Sequence, residues 1–321
     1  MSPVEPLVSI GLPVRNGEQY LGEAARSVLD QDYGRLELVI SDNSSDDGTE
    51  EICRQLASTD ARVRYHRQPE DIGLVANFNS VLHRARGTYF KWIGDDDRLA
   101  PTYVSRCVEV LDDDASLILV TTQQAHVALD GTVESASCDG APMRSDRAVE
   151  RFTEWLRLLN ESRLLLDPLY GMMRRAQIAR LPRPIMLFED QIFAARLALA
   201  GPFGHLGEVL SYRRAKPFPR LAVTARRLGV SPWRASVATT LQCRELLATV
   251  REVDMGRGDR RQAQAAIARM FVRRQWQTVD HRSRKLVRLV SQAVGTQTHH
   301  TVAPVKYSPG GSVGRCRGRG D

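Results

Sequence analysis

Three consecutive carboxylates, Asp95, Asp96 and Asp97, follow directly after a short apolar run, Tyr89 to Ile93. Because adjacent like charges repel, such a triplet is expected to need a cation. Mg²⁺ and Mn²⁺ take oxygen ligands and are commonly shared between one or two protein carboxylates and the phosphates of a substrate. The sequence therefore predicts a Mg²⁺ or Mn²⁺ site here, although an isolated acidic triplet is also typical of a solvated turn.

The elements that would position this triplet alternate between strand and helix patterns from the N-terminus onward. Buried strands are predicted at Leu7–Pro13 and Leu36–Ser41, a shorter one at Val63–His66, and a fourth at Thr88–Ile93, with amphipathic helices between them. Further strands are predicted at Leu117–Thr122 and Gly204–Tyr212, and a hairpin at Leu129–Thr132. This alternation predicts an α/β fold with a mostly parallel, nucleotide-binding sheet flanked by helices.

Polar residues follow the first two predicted strands where a parallel sheet binds its ligands. Pro13 and Arg15 end the first strand, and Asp42 ends the second. Asp42 could accept a hydrogen bond from a base, and Arg15 could meet a phosphate, although each also fits an ordinary loop. A Gly-x-Gly-x-x-Gly fingerprint and a P-loop are both absent from the sequence, which argues against a nicotinamide dehydrogenase and a P-loop kinase.

Charge divides the chain. Residues 1–215 carry 24 of the 45 Lys and Arg residues and 32 of the 38 Asp and Glu residues. Residues 216–321 carry the remaining 21 basic and 6 acidic residues. We predict a first domain over 1–215, a basic helical region over 216–295, and a disordered tail over 296–321 that has little apolar content. The basic part suits an anionic partner, although arginine-rich coding bias is an alternative explanation.

The cysteines and the hydropathy indicate the cellular compartment in which the protein is expected. The five cysteines are far apart and form no Cys-x-x-Cys, which argues against a zinc site or a disulfide framework. No apolar stretch approaches the roughly 20 residues of a membrane span, and the N-terminus lacks the features of a signal peptide. We therefore expect a cytoplasmic protein.

Several motifs occur in an order and spacing that together are highly specific. The chain from Leu7 to Arg214 resembles the family 2 nucleotide-sugar-dependent glycosyltransferases, which have the A-type fold. The motifs are Val8 to Gly17 with Tyr20-Leu21, Leu38 to Thr49, the Gly73, Asn77 and Asn79 run, Arg86 to Tyr89, the acidic triplet, and Phe188-Glu189-Asp190.

For the nucleotide, the resemblance implies that Asp42 contacts the base, while Pro13 and Arg15 border the nucleoside pocket. Asp95 would contact the ribose or the diphosphate. Arg213, which follows the last predicted strand, would neutralise the diphosphate, unless it only begins the basic region.

For the metal, the resemblance implies that Asp96 is the ligand, with Asp97 as a further candidate. Many relatives have an aspartate two residues before this ligand, where this chain has Gly94. Which carboxylate of the triplet binds the ion directly is therefore left open.

The Glu189-Asp190 pair resembles the catalytic element of the family. An acceptor hydroxyl that attacks the anomeric carbon needs a base, and the leaving diphosphate needs a cation. We expect Asp190, with Glu189 beside it, to be that base, although acidic residues also favour a helix N-terminus. A base opposite the leaving group implies direct displacement and inversion at the sugar carbon.

The leading hypothesis is an inverting transferase that moves a sugar from a nucleoside diphosphate, most commonly UDP, to a carbohydrate or lipid-linked acceptor of the cell envelope. A sugar-nucleotide pyrophosphorylase would need a Gly-rich basic loop after the first strand, which Arg15 to Glu18 does not provide. A non-catalytic protein that docks on anionic lipid or nucleic acid through its Arg-rich region is the alternative. The presence of both carboxylate sites favours the enzyme.

The basic region leaves two interpretations open. Its Arg-flanked helices either lie on an anionic membrane surface, at the inner face of the cell membrane, or only pack on the first domain. No specific nucleic acid partner is expected.

Overall fold

The computed structural model describes residues 5–128, 130–138, 140–161, 166–215 and 221–293, with the backbone alone for 161 and 277–293. The strands in these ranges are β1 (Val8–Val14), β2 (Leu36–Asp42), β3 (Val63–Arg67), β4 (Tyr89–Trp92), β5 (Arg98–Leu99), β6 (Leu119–Val127), β7 (Val133–Ser135), β8 (Met172–Arg174) and β9 (Phe203–Arg214). The predicted tail over 296–321 lies outside the described residues.

The helices of the described ranges fall between and after these strands. They are α1 (Leu21–Leu29), α2 (Thr49–Thr59), α3 (Leu74–Arg84), α4 (Tyr103–Asp113), α5 (Ala148–Glu161), α6 (Arg175–Ile178), α7 (Glu189–Ala200), α8 (Leu221–Arg227), α9 (Ala238–Glu252) and α10 (Arg257–Ala293). Short 3₁₀ turns lie at Ala141–Arg144, Pro168–Tyr170 and Pro232–Val237. None of the described helices is both long enough and apolar enough to cross a membrane.

The strands form one sheet in the order β3-β2-β1-β4-β8-β6-β9-β5, with β7 paired to β6. The strands β3, β2, β1 and β4 are mutually parallel, as are β6 and β9. The strand β8 is antiparallel to both β4 and β6, and β5 and β7 are also antiparallel to their partners. The predicted α/β fold is confirmed, but the sheet is mixed rather than mostly parallel. The two- and three-residue strands responsible are too short to show a periodic pattern.

The first two strands set the position of the site. Every residue of β1 and β2 is buried, as expected for strands covered by helices on both faces. Their register pairs Val14 with Asp42, and Asp42 in turn with Arg67 of β3. The carboxyl ends of these strands therefore meet at one edge of the sheet, as predicted.

The hydrophobic core crosses the boundary predicted at residue 215. One buried cluster joins Trp92 of β4 and Phe193 of α7 to Leu246 of α9 and to Ile267 and Met270 of α10. A second cluster lies under α1, α2 and α4. The basic region is helical where it is described, as expected, but α9 and α10 complete the core instead of forming a separate appendage.

Candidate functional site

The loops that follow β1 and β2 are tied together by hydrogen bonds. The backbone N–H of Asn16 donates to Ser45 Oγ at 2.9 Å, and that of Gly17 donates to Thr49 Oγ1 at 2.9 Å. In the other direction, the Gly48 N–H donates to Glu18 Oε2 at 2.6 Å. The predicted nucleotide-binding segments therefore form one connected surface, and Pro13 lies buried just below it in β1.

Asp42 is fully buried within this surface. Its Oδ1 accepts the Ser45 backbone N–H at 2.9 Å, and its Oδ2 accepts Tyr65 Oη at 3.0 Å and Arg67 Nη1 at 2.8 Å. These bonds fix the turn after β2. Because Asp42 is fully buried, contact between its carboxylate and a base would require the residues that cover it to move.

Arg15 forms an ion pair with Asp71, and both side chains are more than 40% exposed. Asp71 also accepts a hydrogen bond from Asn43 Nδ2 at 2.6 Å. Asp71 thus belongs to the rim of the predicted nucleotide pocket. Sequence reasoning missed it, although its position two residues before Gly73, the first residue of a recognised motif, was an available signal.

The acidic triplet forms a turn directly after β4, as predicted, in which the Asp97 N–H donates to the Gly94 carbonyl at 3.2 Å. Asp95 faces the loop after β1, since a Cβ placed on Gly17 would lie 2.7 Å from Asp95 Oδ2. A Cβ on Gly94 would lie 2.9 Å from Asp97 Oδ2 and 3.3 Å from Asp96 Oδ1. The carboxylates of Asp96 and Asp97 therefore occupy the space that a side chain at position 94 would need.

Asp97 points inward and only 6% of it is exposed. Its Oδ2 lies 3.5 Å from Arg213 Nε, and Arg213 also binds Asp167 and lies over the Tyr170 ring at 4.1 Å. Burial raises the pKa of Asp97, and the charge of Arg213 opposes that rise. Arg213 is part of β9 rather than following it, and its two carboxylate partners hold it beside the triplet.

The residues of the acidic triplet fit a divalent cation whose remaining oxygen ligands come from a bound phosphate. Asp95 and Asp96 are half-buried carboxylates of the type that Mg²⁺ and Mn²⁺ prefer. Asp97 is engaged by Arg213, and the choice of Asp96 over Asp97 as the metal ligand stays a prediction. In the part of the chain that the structure describes, no group of three or more His, Cys, Asp or Glu side chains could hold a metal. A cation here would need further oxygens from phosphate or water.

The second carboxylate pair begins α7, as predicted, but its two members differ. Glu189 is buried and accepts two hydrogen bonds from Arg183, one from Nη2 at 2.9 Å and one from Nε. Asp190 is exposed. Glu189 is therefore a structural partner of Arg183, and the prediction that Asp190 is the base is the one that its exposure allows.

Crowding by the surrounding protein raises the pKa of Asp190 to about 6, and the charges of Glu189 and Asp167 add to the rise. Asp167 also binds Arg213 beside the acidic triplet. The two carboxylate sites therefore share one electrostatic environment, which the sequence could not show.

Backbone strain marks the same loops. In the described residues, the non-glycine positions with positive φ are Asn16 after β1, Ser44 after β2, and Phe188 before α7. Asparagine tolerates this conformation, but it is a clear outlier for a bulky residue such as Phe188. Strained residues of this kind cluster at functional sites. All three lie within two residues of a residue predicted to bind or react.

Comparison with known proteins agrees with this geometry. Residues 9–155 match the glycosyl transferase family 2 model. TuaG of Bacillus subtilis, which carries the name of a teichuronic acid biosynthesis glycosyltransferase, is 31% identical over 132 residues, 41% of this chain and 52% of that protein. The match thus spans about half the length of this relative.

Two solved structures share the fold at low sequence identity. Staphylococcus aureus TarS 1–349 in complex with UDP-GlcNAc has a TM-score of 0.61 and 18% identity over 82% of this chain and 72% of that one. A Pyrobaculum calidifontis mannosyltransferase in complex with GDP-Man and Mn²⁺ has a TM-score of 0.54 and 17% identity over 84% of this chain and 74% of that one. These likenesses confirm the predicted A-type fold. The predicted resemblance to glycosyl transferase family 2 is confirmed over residues 9–155.

Proposed function

We propose that the protein is an inverting glycosyltransferase that moves a sugar from a nucleoside diphosphate to an acceptor hydroxyl. The observation that carries this proposal is Asp190, an exposed carboxylate with a pKa raised to about 6 in the same electrostatic environment as the acidic triplet. A base is most effective when its pKa lies near the working pH. At neutral pH Asp190 is mostly ionised and ready to accept a proton.

Each of the predicted site residues has a separate role in the proposed reaction. Asp190 takes the proton of the acceptor hydroxyl as its oxygen bonds to the anomeric carbon and the bond to the diphosphate breaks. Asp95 and Arg15 border the nucleotide, and Arg213 offers positive charge near the departing diphosphate. A Mg²⁺ or Mn²⁺ ion held by Asp96 supplies further charge neutralisation when it is bound. Displacement from the face opposite the leaving group inverts the sugar carbon.

The relatives suggest the substrates. TarS is seen with UDP and UDP-GlcNAc, and the name of TuaG refers to a cell-envelope polymer. We therefore propose a UDP-sugar donor and a carbohydrate or lipid-linked acceptor of the cell envelope. The four cysteines of the described residues are buried and free, as expected in a reducing cytoplasm, where we place the enzyme.

The basic region supports a further proposal, contact with an anionic membrane at the inner face. No acidic residue lies between Glu208 and Glu245. Trp233 and Trp276 are 64% and 70% exposed. Exposed tryptophan beside arginine is typical of surfaces that lie at a membrane interface, which would bring the enzyme to a lipid-linked acceptor.

Nucleotide binding tests the enzymatic proposal. Thermal unfolding is measured with UDP, GDP, dTDP and CDP, with and without Mn²⁺, for the wild type, Asp96→Asn and Asp97→Asn. At 100 times Kd a ligand adds about 2.7 kcal/mol, or a rise in Tm of about 4 °C for a chain of this length. We expect a metal-dependent rise with UDP that Asp96→Asn abolishes. Asp97→Asn should instead keep a metal-dependent rise, because the carboxylate of Asp97 is engaged by Arg213.

A folded protein whose Tm no nucleotide raises would contradict the enzymatic proposal. It would favour the alternative, a non-catalytic protein that docks through its basic region. Product analysis with the nucleotide sugar that gives the largest shift then tests transfer and the anomeric configuration.

A further inference from the structure

Arg274 of α10 reaches the beginning of α7, more than 80 residues earlier in the chain. Its Nη2 donates to Gln191 Oε1 at 2.9 Å, and its Nη1 donates to Gln242 Oε1 of α9. Its guanidinium also lies over the Phe188 ring, with 5.2 Å between Cζ and the ring centroid. One side chain of the C-terminal region thus contacts residues on both sides of Glu189 and Asp190.

Gln191 is held from two further helices. Gln242, which is fully buried, donates through Nε2 to Gln191 Oε1 at 2.9 Å. Trp155 of α5 donates through Nε1 to the Gln191 backbone carbonyl at 3.1 Å. A buried polar network whose members are bonded to one another makes its surroundings rigid. The residue after Asp190 is therefore fixed by α5, α9 and α10 together.

Phe188 adds a reason why such support is needed. Its φ of 63° is unfavourable for a bulky side chain. Such a conformation persists only when the surrounding structure enforces it. The Phe188 carbonyl accepts the first backbone hydrogen bond of α7, from Ile192 at 3.1 Å. The stacking of Arg274 on Phe188 thus bears on the direction in which α7 begins.

We infer that Arg274 is a positioning residue for Asp190, and that the C-terminal helices complete the active site instead of only covering it. Arg274 holds Phe188 and Gln191, and so fixes where the carboxylate between them lies. This inference rests on the proposed role of Asp190 as the base. A misplacement of about 1 Å at such a group can lower the rate by about 100-fold.

The test compares Arg274→Gln with Arg273→Gln, its exposed neighbour on the same helix. For Arg274→Gln we expect kcat to fall by about 10- to 100-fold, with the donor KM and the nucleotide-induced rise in Tm unchanged. Arg274→Lys keeps the charge but cannot bridge both glutamines, so its kcat should lie between those of the wild type and Arg274→Gln. Arg273→Gln should keep kcat within about twofold, as expected of an exposed site.

Hydrogen exchange supplies a readout that does not depend on activity. Peptides covering residues 186–193 are compared at a temperature where all variants are folded. Faster exchange there in Arg274→Gln, but not in Arg273→Gln, is expected. An unchanged kcat, a loss shared equally by Arg273→Gln, or a loss confined to KM would overturn the inference.

Failure of the proposed function has a different signature. If the wild type transfers no sugar from any donor, the proposed role of Asp190 as the base is contradicted. Hydrogen exchange at residues 186–193 then tests the positioning role of Arg274 by itself. Faster exchange specific to Arg274→Gln keeps the positioning role of Arg274, and unchanged exchange removes it.

Discussion

Arg183 and Glu189 form a buried ion pair with two hydrogen bonds, directly before Asp190 in the chain. The Arg183 guanidinium also lies over the Phe78 ring at 4.4 Å. Because Glu189 is committed to this pair, the two adjacent carboxylates have separate tasks. Glu189 anchors the first turn of α7, and the exposed Asp190 is the carboxylate that we propose as the base.

Replacing Glu189 should therefore affect stability first. Glu189→Gln leaves the buried charge of Arg183 without its counter-charge, and breaking such pairs typically costs about 3–5 kcal/mol. Urea unfolding measures this cost, and Glu51→Gln on the exposed face of α2 is the matched control. A change equal to that of the control would show that the pair does not stabilise the fold.

Asp190→Asn should have the opposite effect on stability. The pKa of Asp190 is raised in the folded protein, so its ionised form destabilises the fold at pH 7.5, and the neutral amide removes this penalty. We expect transfer to fall by about 10²- to 10⁴-fold, while the Tm stays level or rises. Loss of activity together with a lower Tm would instead assign Asp190 a structural role.

The pH dependence of the wild type follows from the same group. A base must be ionised to accept a proton, so kcat/KM should fall tenfold per pH unit below about pH 6, the pKa of Asp190. The measurement is a pH profile at saturating Mn²⁺, with Tm recorded at each pH to exclude unfolding. A profile that stays flat to pH 5 would exclude Asp190 as the base.

The Gly94 position gives a sharp steric test. A Cβ there would meet Asp97 Oδ2 at 2.9 Å, so Gly94→Ala should destabilise by about 1–3 kcal/mol. Gly94→Asp, the residue of many relatives, should also weaken metal-dependent nucleotide binding. Gly22→Ala is the control, because its nearest contact is the flexible end of Arg26 at 3.4 Å, and it should be neutral or stabilising. A Gly94→Asp variant that binds nucleotide as well as the wild type would contradict this account.

The parts of this fold that could be predicted from sequence are those with local patterns. The runs that became β1 and β2 are apolar throughout, and the polar loops after them come together because parallel strands end at one edge. The pairing of Arg213 with Asp97 and Asp167 could not be predicted, because it joins β9 to two distant loops. The same holds for Arg274, whose local sequence resembles the exposed arginines beside it.

Membrane contact is tested with vesicles. Phosphatidylglycerol vesicles should bind the protein, and 0.5 M salt or phosphatidylcholine should release it, because surface charge attraction is screened. Trp233→Ser and Trp276→Ser should each weaken binding by about fivefold, as about 1 kcal/mol of apolar burial is lost. Val133→Ser is the control, since Val133 is 58% exposed but lies in β7, outside the basic region. If all three variants bind like the wild type, the tryptophans do not contact the membrane. If phosphatidylglycerol vesicles do not bind the wild type, the proposed membrane contact is contradicted.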